Sequence, residues 1–161
     1  MGALLERLDR GLGTVVMAGR WLVLPVALTL FLQWPLRDWI ARGSREANDL
    51  GQWLFALYVC LAVTAATRAG AHLAADALAQ RYPAATRQAI AVAGAALCVV
   101  PWALFIVVGG AAFAWNSASR LESFPDTGNS GYFIVKGCAW LLAALALAQA
   151  VLDVARATWR R

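Results

Sequence analysis

Four long stretches of the sequence contain no charged residue, and this feature constrains the fold more than any other. The stretches are residues 21–36, 50–67, 88–119 and 137–152. A helix that crosses the roughly 30 Å hydrocarbon core of a bilayer needs about 20 residues, and a charge within that core is costly. The composition agrees, since 61% of the residues are hydrophobic and only 14% are charged. The sequence therefore predicts an all-α integral membrane protein with four transmembrane helices.

The helices should extend somewhat beyond the uncharged stretches, to about residues 12–36, 50–68, 88–119 and 132–153. Arg20 and Lys136 then fall near helix ends, where a long basic side chain reaches the headgroups. The third stretch is longer than a perpendicular crossing needs. It predicts one long helix that tilts, or that bends at Pro101 or at Gly109 and Gly110.

Two further segments, residues 2–11 and 70–82, combine apolar and polar side chains at helical spacing. In the first, leucines alternate with charged residues, and in the second, His72 and Asp76 share one helix face. Such patterns are typical of short amphipathic helices that lie at the membrane interface. The amphipathic helix of residues 70–82 is expected to stop at Pro83, because proline cannot continue a hydrogen-bonded helix.

Basic residues indicate the orientation of the chain. Most of the 14 Lys and Arg residues fall at the two termini and between the second and third stretches. Loops with an excess of basic residues stay on the cytoplasmic side of a membrane. The N- and C-termini are therefore predicted to be cytoplasmic. The net charge of +5 is explained in the same way, and no nucleic acid is expected as a partner.

The chemistry of a catalytic, metal or cofactor site is missing from the sequence. There is no phosphate-binding loop, no nucleophile elbow and no zinc-protease motif. The chain has a single histidine and three cysteines, and the cysteines all lie within apolar stretches. We therefore expect no enzyme activity, no metal and no cofactor.

Two alternative functions remain open on the residues alone. A stand-alone small transporter is one, although no Asp or Glu lies in the middle of a predicted helix, as proton coupling would require. A membrane-anchor subunit of a redox complex is the other, although a haem held by two histidines needs more than the one present.

Three sequence blocks resemble a known family of membrane proteins. The first is Gln33-Trp34-Pro35-Leu36-Arg37 at the end of the first helix, and the second runs from Asn48 through Gln52 and Trp53. The third block, Arg68-Ala69-Gly70-Ala71-His72 followed by Asp76, carries a polar pattern between the second and third helices. These blocks, with Glu122 and Lys136 farther on, are similar to the small membrane subunit of tripartite ATP-independent periplasmic (TRAP) transporters, the DctQ-like family.

This resemblance implies a single domain over residues 1–161 in the inner membrane of a bacterium. TRAP systems are secondary importers that use a sodium gradient, usually to take up organic acids. The partners implied are a large, DctM-like membrane subunit that moves the substrate and a DctP-like periplasmic protein that captures it. The small subunit would act as a stator and help to dock the periplasmic protein.

The resemblance also suggests which residues contact these partners. The expected contact residues are Trp34, Arg37, Asn48, Asp49, Gln52, Trp53 and Glu122 at the outer side, with Arg68, His72 and Asp76 at the cytoplasmic side. A simpler interpretation of the outer group is an aromatic belt, with Asn48 or Asp49 capping the N-terminus of the second helix.

Overall fold

Helices make up almost all of the described chain. The structure is a computed structural model that describes residues 2–40, 45–69 and 81–159, with side chains for 6–35, 45–69 and 81–158. The helices are α1 (Gly2–Gly19), a 3₁₀ turn (Arg20–Leu22), α2 (Val23–Ile40), α3 (Arg45–Arg68), α4 (Ala84–Gly94), a π turn (Ala95–Val99), α5 (Val100–Ser119) and α6 (Tyr132–Trp159).

Four helical runs are long and apolar enough to cross a membrane, which confirms the predicted fold class. They are span 1 (Glu6–Pro35), span 2 (Arg45–Arg68), span 3 (Ala84–Ser119) and span 4 (Tyr132–Thr158). Residues 2–11, predicted as an interfacial helix, form the first part of α1, and span 1 already begins among them at Glu6. Most of the other predicted interfacial helix, about 70–82, lies outside the described residues.

The predicted capping of the second helix by Asn48 or Asp49 is wrong. Span 2 begins at Arg45, so both residues lie within its first two turns. Hydropathy marks only the part of a helix that is suited to lipid, and this helix starts about one turn before that part. The carboxylate of Asp49 bonds to a distant loop instead, as described below.

Span 3 is a continuous helical run with one irregularity near its middle. The π turn Ala95–Val99 ends two residues before Pro101, whose nitrogen carries no hydrogen to donate to the preceding turn. A π turn relieves such a conflict by widening the helix for one turn. Gly109 and Gly110, the other proposed bend site, lie inside the regular helix α5.

The four spans form an open row rather than a closed bundle. Span 4 has extensive contacts with spans 2 and 3, and span 1 packs on span 2, so the spatial order is 1-2-4-3. The buried centre contains Cys60, Leu61 and Cys138, where spans 2 and 4 meet. Span 3 is the least buried of the four, and its Trp115 side chain is 74% exposed. One broad apolar face therefore remains uncovered within the described structure.

Span 1 approaches span 2 closely at Gly19. A Cβ atom added at Gly19 would lie 2.8 Å from the Cβ of Leu61, which is too close for any side chain. Small residues permit such close helix contacts in membranes, where association depends on van der Waals packing.

Along the helix axes, the structure has two opposite ends, which are called the loop end and the terminal end. The loop end contains residues 120–131 and the start of span 2, and the terminal end contains Asp9, Arg68 and Arg156.

Candidate functional site

The connection between spans 3 and 4 is an ordered loop, and its shape begins at the end of α5. The N–H groups of Leu121 and Glu122 donate to the carbonyls of Ala118 and Ser117, each at 3.1 Å. These two bonds close the helix in a Schellman motif, which requires a left-handed residue just after the helix. Leu121 occupies that position with φ of 47°. The chain is thereby turned back towards span 4.

The tip of this loop is a tight turn. The N–H of Phe124 donates to the carbonyl of Asn129 at 2.7 Å, and the N–H of Gly128 donates to the carbonyl of Phe124 at 2.9 Å. Gly128 has a φ of 71°, a conformation that glycine adopts without strain. The ring of Phe124 is buried and lies 5.4 Å from the ring of Tyr132. The loop therefore packs on the start of span 4.

Glu122 holds the base of the loop. Its carboxylate accepts bonds from Lys136 Nζ at 2.6 and 2.7 Å and from the Ser117 hydroxyl at 2.6 Å. Lys136 Nζ also lies over the rings of Phe113 (4.6 Å) and Tyr132 (5.0 Å). The Lys136 ammonium, with the Ser117 hydroxyl, holds the pKa of the Glu122 carboxyl below its ordinary value. Spans 3 and 4 are thus joined through one ionised carboxylate.

Asp49 holds the tip of the loop from span 2. Its Oδ2 atom accepts a bond from the Thr127 hydroxyl at 2.6 Å and another from Asn129 Nδ2 at 3.0 Å. The residue is only 6% exposed. Hydrogen bonds to a charged acceptor are stronger than those between neutral groups. Asp49 therefore fastens the loop to the beginning of a helix that precedes it by about 80 residues.

A groove of about 640 Å³ lies between span 2 and this loop. Its lining combines three charged side chains, two amides and aromatic rings: Arg45, Asn48, Asp49, Gln52, Phe124, Pro125, Asp126, Thr127 and Tyr132. Gly131, beside the ring of Phe124, has a φ of 138°, and a Cβ there would lie 3.3 Å from that ring and 3.5 Å from Trp53. Another residue at this position would have a strained backbone and a tight contact with Phe124.

Several of the predicted contact residues meet at this loop end. Asn48, Asp49 and Gln52 line the groove, Trp53 lies close to Gly131 of the loop, and Glu122 holds the loop. Trp34 is exposed on α2 and does not line the groove. Arg37 lies on α2, but its side chain is outside the described part of the structure.

The terminal end contains a second polar cluster, centred on Asp9 and Arg68. Arg68 Nη1 lies 2.8 Å from Asp9 Oδ1 and donates to Gln149 Oε1 at 2.8 Å, while Arg156 Nη2 lies 2.5 Å from Asp9 Oδ2. The amide of Gln149 donates in turn to Asp153 Oδ1 at 2.9 Å. This network joins spans 1, 2 and 4. The other predicted residues of this end, His72 and Asp76, lie outside the described residues.

Sequence reasoning missed the partners that complete both clusters. Thr127-Gly128-Asn129 carries a recognisable turn signal, because Gly and Asn favour tight turns. Nothing local to that segment indicates Asp49 as its acceptor. Asp9 lies in the amphipathic segment 2–11 and Gln149 lies within the uncharged stretch 137–152, and neither position indicates a contact with Arg68. In the described segments, no group of three metal-ligating side chains comes together.

Comparison with known proteins identifies the family. The profile described as "Tripartite ATP-independent periplasmic transporters, DctQ component" matches residues 26–159. No curated protein and no solved structure shows a significant match to the chain. The profile covers most of the sequence, including the second, third and fourth spans and the loop that Asp49 and Glu122 hold. The chain therefore belongs to the DctQ family and is the small membrane component of a TRAP transporter.

Proposed function

We propose that this chain is a static partner of the large permease subunit and not a transporter or an enzyme in its own right. The observation that carries this proposal is the open row of spans, which leaves span 3 largely uncovered. A transport pathway needs polar groups enclosed within the membrane. In the described spans, one charged cluster lies at the loop end and the other at the terminal end, and the buried centre between them is apolar. An open row of spans with an apolar centre is suited to supporting a neighbouring subunit and not to conducting a solute.

The large subunit would pack on the apolar face of span 3. Helix association in a membrane depends on close van der Waals contact, which small residues permit. Ala111, Ala114, Ala118 and Gly137 form a shallow apolar groove between spans 3 and 4, flanked by Trp115 and Trp140. Trp140 Nε1 donates to the carbonyl of Val107 at 2.9 Å, so one edge of the groove is fixed. A helix of the large subunit would fit against this groove.

The loop end would face the periplasm and help to receive the substrate-binding protein. The positive-inside rule supports this direction, since the basic residues are concentrated at the terminal end. The loop is held at its base by Glu122 and at its tip by Asp49, so its shape is set before a partner binds. The transporter would then carry out sodium-driven uptake of an organic acid or related solute, with the substrate and sodium sites in the large subunit.

Co-purification tests the proposal. With an affinity tag on the large subunit only, we expect the untagged chain to purify with it and to be required for uptake in cells. The purified chain alone should give no uptake in liposomes. The double variant Phe105→Ala/Trp115→Ala should weaken co-purification, because both rings are exposed on span 3 and contribute little to the chain's own fold.

Phe31→Ala is the control, since this ring is also largely exposed but lies on span 1 at the other side of the row. If the control weakens co-purification and the span 3 variant does not, the large subunit binds the opposite face. Uptake by the chain alone would overturn the static role.

A further inference from the structure

We propose that the groove at the loop end binds a basic side chain, arginine or lysine, of the periplasmic binding protein. This inference rests on the proposed function, in which the loop end meets that protein. It goes further by naming the chemistry of the contact. The occupant is specified by the charge of the groove, by its aromatic rings, and by a similar cation site that the same loop already contains.

The existing cation site shows how this loop holds a positive charge. Lys136 Nζ is bound by both oxygens of Glu122 and lies over the rings of Phe113 and Tyr132. A carboxylate beside aromatic faces attracts a cation in two ways, by its charge and by the ring quadrupole. This site is filled by a residue of the chain itself.

The neighbouring groove offers the same kinds of groups. Asp49 and Asp126 supply carboxylates, Tyr132 and Phe124 supply rings, and Asn48 and Gln52 supply amide oxygens. Thr127 and Asn129 bond to Asp49 as neutral donors, which leave its negative charge uncompensated. Within the described residues, no ion pair joins Asp49 or Asp126 to a basic side chain. The groove therefore resembles the Lys136 site without a lysine.

Arg45 sets the balance of charge in the groove. It is an exposed residue at the first position of span 2, whereas Asp49 is almost completely buried on the wall one turn later. With two carboxylates and one guanidinium, the groove is negative by one charge. Charge complementarity therefore favours a cation from the partner over an acidic side chain. Arg45 should repel that cation, while Asp126 should attract it.

The experiment measures the affinity between the two-subunit membrane complex, in nanodiscs, and the periplasmic binding protein of the same transporter. At low salt, of about 50 mM, Asp126→Asn should weaken binding about 2- to 5-fold, which is the range of an exposed ion pair. Arg45→Gln should tighten binding by a similar factor. Both effects should shrink at about 500 mM salt, because exposed charges are then screened.

The two variants are expected to change the affinity in opposite directions. Structural damage to the groove would instead weaken binding in both, so the directions distinguish charge recognition from damage. Arg120→Gln is the matched control, since it removes an exposed arginine at the same end that does not line the groove. A change for Arg120→Gln as large as that for Arg45→Gln would indicate general attraction and overturn the inference. Weaker binding in both groove variants, or no change in either, would overturn it as well.

A second measurement keeps the groove separate from the proposed function. The purified chain should bind N-acetyl-arginine methylamide more tightly than the uncharged citrulline analogue, and Asp126→Asn should remove the difference. Equal binding of the two compounds overturns the inference even when co-purification with the large subunit succeeds. If no complex with the large subunit forms, the proposed function fails, and this measurement still decides what the groove binds.

Discussion

Among the described residues, Leu121 is the one residue other than glycine with a positive φ. The chain uses glycine at the other two positive-φ positions of the loop, Gly128 and Gly131, but a leucine at the turn that ends α5. A left-handed conformation costs an L-residue with a side chain roughly 1–2 kcal/mol. The side chain is 61% exposed, so packing recovers only part of this cost.

Replacing Leu121 with glycine should therefore stabilise the purified chain. We expect the free energy of unfolding to rise by about 1 kcal/mol, because glycine adopts the Schellman conformation without strain. The measurement is thermal unfolding in detergent, followed by tryptophan fluorescence. Leu121→Ala keeps the strain while shortening the side chain, so it should not stabilise. A loss of stability in the glycine variant would mean that the leucine side chain makes a contact worth more than the strain.

At the scale of the helices, the contact between spans 1 and 2 depends on the absence of a side chain at Gly19. Gly19→Ala should destabilise the chain by about 1–3 kcal/mol, because the new methyl group would collide with the Cβ of Leu61, which cannot rotate away. Thermal unfolding of the purified chain measures the change.

Gly11→Ala is the control in the same helix, since a Cβ there meets no atom within 4 Å. It should leave stability unchanged or raise it slightly, through the better helix propensity of alanine. Equal losses in the two variants would show that helix α1 responds to alanine in general and not at the contact with Leu61.

The existence of the four spans could be predicted from the sequence, but the residues at which helices start and the irregular turns within them were harder to predict. Long uncharged stretches are a strong signal because a charge is costly in lipid, and each of them forms a span. The start of span 2 at Arg45 was missed because its first turn contains Arg45 and Glu46 and so looks polar. Pro101 indicated a disturbance in span 3, while the π turn that precedes it depends on the local hydrogen bonds.

At the scale of the whole molecule, Asp9 joins three spans through two arginines with unequal roles. Arg68→Ala should cost about 2 kcal/mol, because Arg68 is 22% exposed and also bonds to Gln149 and to the backbone of Asp9. Arg156→Ala should cost less than about 1 kcal/mol, because that arginine is 43% exposed and is more strongly screened.

Thermal unfolding of the two single variants and of the double variant measures both costs and their coupling. We expect the two costs to be non-additive, since both arginines bind the same carboxylate. A larger loss for Arg156→Ala than for Arg68→Ala would contradict this ranking.

The lateral order of the spans and the composition of the site could not be read from one sequence. Spans that are apolar on all sides carry little information about which face meets which neighbour. The groove was only partly predictable for the same reason. Asn48, Asp49 and Gln52 stood out beside Trp53, but the donors to Asp49 lie about 80 residues away and leave no local mark.

The order 1-2-4-3 has a consequence for how the chain is made. Spans 1 and 2 can pair as soon as both have left the ribosome, because they are neighbours in the row. Span 3 has its extensive contacts with span 4, which is synthesised last. During translation, span 3 is therefore made before the helix on which it packs, and a chain cut short after residue 131 would lack that helix. Correct assembly thus depends on span 4, which is made last and takes the position between spans 2 and 3.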